Sequence, residues 1–312
     1  MLNIAFVSIL AGLISSLALL SVLSGSILAF PIFYLAPVPI YFVGLTIGAK
    51  GLLVAGTSGL IVSFALGEII ATIPFLAACV LPAFIVCTCF LIQRPSSNSK
   101  SEWHAAGEAV AYLTALGGIL LFVVCLIAET TKGFEPLVVD HLSEALTSMV
   151  PNLPQNIHNT TIASLSPFFP GVAVASWIVM NIANAAIAQW ASVRMKKNLR
   201  PTPSYSNVSM PQWLSTVFVG ACILALLGPN NWGYLGNNLA LVLAIPFFFV
   251  GLAVVHKFLG KQKHASTMIA LFYVVLLVSS WASFLVAVLG IIEQWFGWAW
   301  VSRIVTYPRN KE

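Results

Sequence analysis

The sequence predicts an all-α, polytopic transmembrane helical bundle of eight or nine spans, and three observations carry that prediction. First, 59% of the 312 residues are hydrophobic and 7% are charged, with a mean hydropathy of +0.97. Soluble domains carry about 25% charged residues, so a water-facing fold of this composition would expose large apolar patches. Second, the apolar residues form continuous runs, such as LVLAIPFFFVGLAVV from Leu241 to Val255, without the alternation of a membrane β-barrel. Third, basic residues gather in every second connection between runs.

The runs are Ile4 to Leu23, Ile27 to Ile47, Leu52 to Leu66, Ile69 to Ile92, Ala106 to Ala128, Phe168 to Trp190, Leu214 to Leu227, Leu239 to His256 and Thr267 to Ile292. A helix needs about 20 residues to cross roughly 30 Å of hydrocarbon. The third and seventh are short, which suits tilted or partly re-entrant segments. No basic residue precedes the first run, so it reads as a retained span rather than a cleaved signal peptide.

Pro31, Pro37 and Pro39 remove three backbone donors from the second run, so a straight helix is not expected there. Gly44, Gly48, Gly51, Gly56 and Gly59 follow. Two readings stay open: close helix contact through small residues, or an unwound segment lining a ligand cavity.

Lys50, then Arg94 and Lys100, then Arg194, Lys196, Lys197 and Arg200, then Lys257, Lys261 and Lys263 occupy the even-to-odd connections. A cytoplasmic N-terminus in a bacterial inner (plasma) membrane puts all of them inside. The opposite side receives residues 129–167, with Lys132 against Glu129, Glu135, Asp140 and Glu144. EPLVVDHLSEALTSMV reads as a short amphipathic helix and PNLPQNIHNTT as an extended loop. Asn159-Thr160-Thr161 and Asn207-Val208-Ser209 match the short glycosylation pattern. Residues 293–312 form an aromatic interfacial segment and tail with Trp295, Trp298 and Trp300. Nine spans leave Arg303, Arg309 and Lys311 outside, against the charge trend, and Ser279-Ser280 is the one turn signal that would split the last run.

Polar residues inside apolar runs are the candidates for function. Glu68 and Glu108 fall at run ends and read as interfacial. Asn181 and Asn184 share a helical face, with Gln189 beyond them, and suit either interhelical hydrogen bonds or ligand contacts. His256 closes the eighth run beside Lys257 and has no His or acid three or four residues away. The candidate ligand-cavity residues are therefore Pro37, Pro39, Asn181, Asn184 and His256. Cys79, Cys87, Cys89, Cys125 and Cys222 all lie in apolar runs and read as small buried hydrophobes; Cys87 and Cys89, two apart, make a poor metal pair.

No phosphate loop, H-E-x-x-H motif or nucleophile elbow is present, and acids are few, so the sequence predicts neither an enzyme nor a cofactor or metal. The net charge of +5 fits loops facing anionic lipid rather than nucleic acid.

From Ile245 to His256 (IPFFFVGLAVVH), and from LFYVVLLV through LGIIEQWFGW to Trp298, the chain resembles the YybS-like family of predicted bacterial inner-membrane proteins of unknown function. PVPIYFVGLTIGAKGLLVAG, from Pro37 to Gly56, resembles that family's N-terminal region, and the likeness spans most of the chain. The sequence departs where the family signature has Asp, here Glu293, and where its Arg follows the aromatic pair sooner than Arg303 does. The family is itself similar to the substrate-binding membrane subunits of energy-coupling-factor vitamin transporters. That resemblance implies a core of about six helices around an outward cavity, with extra helices here, and carries no vitamin signature. Two functions follow as expectations. One is a transporter subunit that binds or takes up a small, apolar molecule; the other is a noncatalytic accessory or scaffold subunit of an inner-membrane complex. The partners expected are the lipid bilayer, a small ligand and other membrane subunits.

Overall fold

The computed structural model describes residues 4–94, 102–103, 106–203 and 210–297. Lys100, the pattern at Asn207-Val208-Ser209, and Trp298, Trp300, Arg303, Arg309 and Lys311 of the tail lie outside the described residues. The helices are α1 (Ile4–Leu20), α2 (Ala29–Tyr34), α3 (Val38–Ile47), α4 (Ala49–Phe75), α5 (Leu81–Leu91) and α6 (Ala106–Glu129). They continue as α7 (Phe134–Met149), α8 (Gln155–Leu165), α9 (Phe169–Arg194), α10 (Gln212–Leu227), α11 (Asn231–Leu259), α12 (Ala265–Val278) and α13 (Ser280–Phe296). A two-residue antiparallel ladder pairs Gln93–Arg94 with Glu102–Trp103.

The protein is an all-α polytopic membrane bundle. Among the described residues six segments are long and apolar enough to cross a membrane: Ile4–Ser24, Ala29–Ile47, Ala49–Leu91, Ala106–Glu129, Phe169–Arg194 and Asn231–Leu259. The bent pair Ala265–Val278 and Trp281–Phe296 makes up to seven. This is fewer than the eight or nine spans expected from the sequence, for two reasons. The runs from Leu52 and Ile69 fall in one continuous 43-residue segment, counted once although it bends back at Gly67–Glu68, and the 16 residues of α10 reach only about 24 Å.

Packing divides the chain into two compact units: Met1–Leu113 with Ser176–Pro203, and Thr114–Ala175 with Ser204–Glu312. In the first unit, α1 buries Ser8, Ala11, Gly12, Ser15, Ser16 and Leu19, a face of mostly small residues at helical spacing. It meets Ala55, Ser58, Gly59 and Ser63 of α4. Ser58 Oγ donates to the Ile9 carbonyl at 3.3 Å, Ser16 and Ser63 hydroxyls pair at 2.9 Å, and a Cβ on Gly12 would overlap the Ala55 carbonyl. The contacts Gly12–Gly59, Ser16–Ser63 and Leu20–Gly67 advance together along both helices, so α1 and the first arm of α4 run parallel.

The 43-residue segment is not straight. Gly67 and Glu68 leave helical geometry, with Glu68 at φ 51° and ψ −150°. A Cβ on Gly59 would lie 2.5 Å from the Phe75 ring, and one on Gly56 would lie 3.1 Å from Val80. In a straight helix residues 59 and 75 would stand about 24 Å apart. The chain therefore doubles back at Gly67–Glu68, and the glycines let the two arms touch. Glu68 holds a backbone conformation that suits glycine and costs other residues about 1–3 kcal/mol. Glu68→Gly is expected to raise stability by about 1 kcal/mol after its added unfolded-state entropy. Reversible unfolding in mixed micelles measures this, and a loss of stability would show that the turn is unstrained.

In the second unit, α10 and α11 form a tight antiparallel pair. Cβ atoms on Gly233 and Gly236 would run into Gly228 and Ala225 backbone. Helix α13 runs antiparallel to α11, with Gly251 against the Val286 carbonyl and Gly290 against the Phe247 carbonyl. The last apolar run is not one helix: it breaks at Ser279 and turns through 115° between α12 and α13. Ser279 takes an extended backbone there, with φ −122° and ψ 111°.

Of PNLPQNIHNTT, read as extended loop, residues 155–161 instead form the start of α8. Pro154 precedes this helix, none interrupts it, and His158 Nε2 lies 3.3 Å from Thr147 Oγ1 and 3.5 Å from Ser143 Oγ of α7. Contact with α7 thus supplies the support that the local sequence lacks.

Candidate functional sites

The proline-rich stretch of the first unit is broken, and the break has a partner. Pro37 and Pro39 have no N–H, and the Val38 N–H turns to the Leu35 carbonyl at 3.1 Å. The Tyr34 carbonyl is left without a backbone donor, and Asn184 Nδ2 reaches it at 2.8 Å while also donating to Met180. One turn earlier on α9, Asn181 Oδ1 accepts from the Tyr41 hydroxyl at 3.0 Å, and its Nδ2 donates to Trp177. The paired amides therefore staple α9 to α2 and α3. Asn184 Oδ1 is buried with no partner among the described residues. Pro39 instead lines an apolar groove of about 330 Å³ with Val38, Phe42 and residues of α1.

His256 lies in the second unit. Its Nδ1 sits 2.8 Å from the Leu252 carbonyl, and the Tyr273 hydroxyl lies 3.3 Å from Nε2. A ring protonated on Nδ1 satisfies both contacts: it donates to Leu252 and accepts from Tyr273. That leaves His256 as a link between α11 and α12.

Three positions escaped the sequence reading as site residues. Asn238 of α11 is fully buried; its Oδ1 accepts the Gly171 N–H at 2.7 Å, and its Nδ2 donates to the Pro167 and Tyr234 carbonyls. Tyr234, one turn earlier, donates to the Ser166 carbonyl at 2.6 Å. Together they hold the proline-rich start of α9, where Pro167 and Pro170 remove backbone donors. The Tyr-x-x-x-Asn spacing was a usable signal, since it places both groups on one helical face. Arg200, read as a loop charge, is 6% exposed; it donates to the Phe90 carbonyl at 3.0 Å and stacks on that ring at 4.8 Å. Charge patterning carries no information about such depth.

A cleft larger than the Pro39 groove lies in the second unit. About 480 Å³ lies between α6, α10 and α11, lined by Gly118, Ile119, Phe122, Val217, Gly220 and Leu224 among others. Trp213 stands at one end of the α10 wall. A Cβ on Gly220 would meet nothing within 4 Å, and one on Gly118 would make only ordinary contact with Leu239. Both glycines thus keep the cleft open. Volumes of roughly 300–1,000 Å³ suit small-molecule ligands, and an apolar lining selects for apolar ones. Among the described residues no group of three His, Cys, Asp or Glu is arranged to hold a metal.

A family model described as a predicted membrane protein (DUF2232) matches residues 12–293. No curated protein and no solved structure matches the chain.

Proposed function

The chain belongs to the family of predicted membrane proteins DUF2232, and on that premise we propose that it is a small-molecule-binding or uptake subunit of a transporter. The observation that carries this reading is the glycine-floored cleft of α6, α10 and α11, which presents an almost wholly apolar wall to a ligand. The broken α2–α3 segment adds to it, because broken spans are a device of transporters. The likeness to the YybS-like family and to energy-coupling-factor binding subunits points the same way, with the binding role itself noncatalytic. The reading keeps the N-terminus in the cytoplasm of a bacterial inner membrane and counts the two arms of Ala49–Leu91 as separate passes, which raises the spans toward eight.

The test is thermal stability of the purified protein against a panel of vitamins and apolar lipids, for wild type and Gly220→Leu. A ligand at a hundredfold excess over its Kd adds about 2.7 kcal/mol of stability. At least one apolar compound is expected to stabilise wild type and not Gly220→Leu. A panel without effect on wild type sinks the reading.

One observation favours the accessory or scaffold role as a second reading: α12 buries none of its residues although it is apolar from Met268 to Val278. Gentle-detergent purification separates the two. Recovery of an ATPase pair supports transport, and a different stable membrane complex supports the scaffold.

A further inference from the structure

We infer that the cleft of the second unit is a lateral site for one acyl chain of a bilayer phospholipid, entered from the membrane rather than from water. This rests on the proposed binding role of the same cleft and names its occupant. The shape argues first. Trp213, Val217, Gly220, Ala221 and Leu224 line it from one face of α10. Eleven residues separate the first from the last, about 16 Å of helix rise. The cleft is thus long and lies along an apolar helix packed antiparallel to α11, a segment long enough to cross the membrane, so it runs in the direction in which lipid chains lie.

Its chemistry argues second. The only side-chain polar atom among the lining residues is the Trp213 indole nitrogen, at one end. None of the lining residues carries a charged or amide side chain to bind a headgroup, so the polar part of an occupant stays outside. The surroundings argue third. Ile119, Val217, Ile223, Leu226 and Leu227 around the walls are exposed large hydrophobics, so the mouth opens into hydrocarbon. Apolar cavities stay dry, and a dry concavity beside hydrocarbon gains dispersion contacts when a chain fills it. Gly220 decides access because its missing side chain is the open side of the groove.

The probe is Trp213 fluorescence, isolated as the difference between wild type and Trp213→Phe. The protein is reconstituted in vesicles of phosphatidylcholine brominated at mid-chain or of the unbrominated lipid. The Trp213 component is expected to lose more than half its intensity in brominated vesicles, and Gly220→Leu is expected to restore most of it. Far-UV circular dichroism and monodispersity check that Gly220→Leu remains folded, and Gly220→Ser serves as a smaller block if it does not. Quenching that is equal in wild type and in the folded blocked variant would mean ordinary lipid around the protein and overturns the proposal. An unquenched Trp213 overturns it too, and a dimer seen in that case assigns the cleft to a second copy of the chain. Failure here leaves the thermal panel standing, since a soluble ligand that stabilises wild type supports binding without lateral lipid entry.

Discussion

Gly290→Ala is expected to cost about 3 kcal/mol, at the top of the range for overpacking a close contact. A methyl group there would overlap the Phe247 carbonyl of α11. The obstacle is backbone within a regular helix, so no side-chain rotation relieves it. Relief requires α13 to move outward, and that also opens the reciprocal contact of Gly251 with the Val286 carbonyl. Gly220→Ala is the matched control. Its Cβ meets nothing within 4 Å, and alanine in place of a helical glycine gains about 0.5–1 kcal/mol. The same substitution thus changes sign between α13 and α10. Unfolding of both variants in mixed micelles measures the difference, and equal stabilities would show that α13 does not pack on α11 as closely as described.

Asn238→Leu is expected to be almost as damaging, at about 3 kcal/mol, because it strands groups that hydrocarbon cannot satisfy. The Gly171 N–H loses its acceptor and the Pro167 carbonyl loses its donor. Leucine also exceeds the space beside Gly171, whose absent Cβ would already stand 2.9 Å from the Asn238 carbonyl. The loss is local to the start of α9, so hydrogen exchange separates it from general unfolding. Amides near Gly171 are expected to exchange faster while those of α13 keep their protection. Unchanged exchange at Gly171 refutes the role assigned to Asn238.

The membrane class was legible in composition, and several joints were legible in local chemistry. Gly67–Glu68 marked a boundary between runs, and the chain reverses there; Ser279-Ser280 was the only turn signal in the last run, and the helix breaks there. The site was less legible. Asn181 and Asn184 stood out as polar residues on one face, but their partners, Tyr41 and the Tyr34 carbonyl, lie 140 and 150 residues away. The cleft gave no signal, because its lining looks like any other apolar helix surface until three helices are placed side by side.

By itself the sequence determined that the chain lives in lipid, which stretches are apolar, and where prolines and glycines interrupt them. Those properties depend on hydropathy, chain length and backbone donors, all of which are local. Tertiary structure alone decided which glycines are closed by a facing carbonyl and which open a cleft. It also decided which buried amides are already spoken for by orphaned backbone. Both depend on what stands opposite a residue across a helix interface, and lipid-facing and protein-facing surfaces are equally apolar in a membrane.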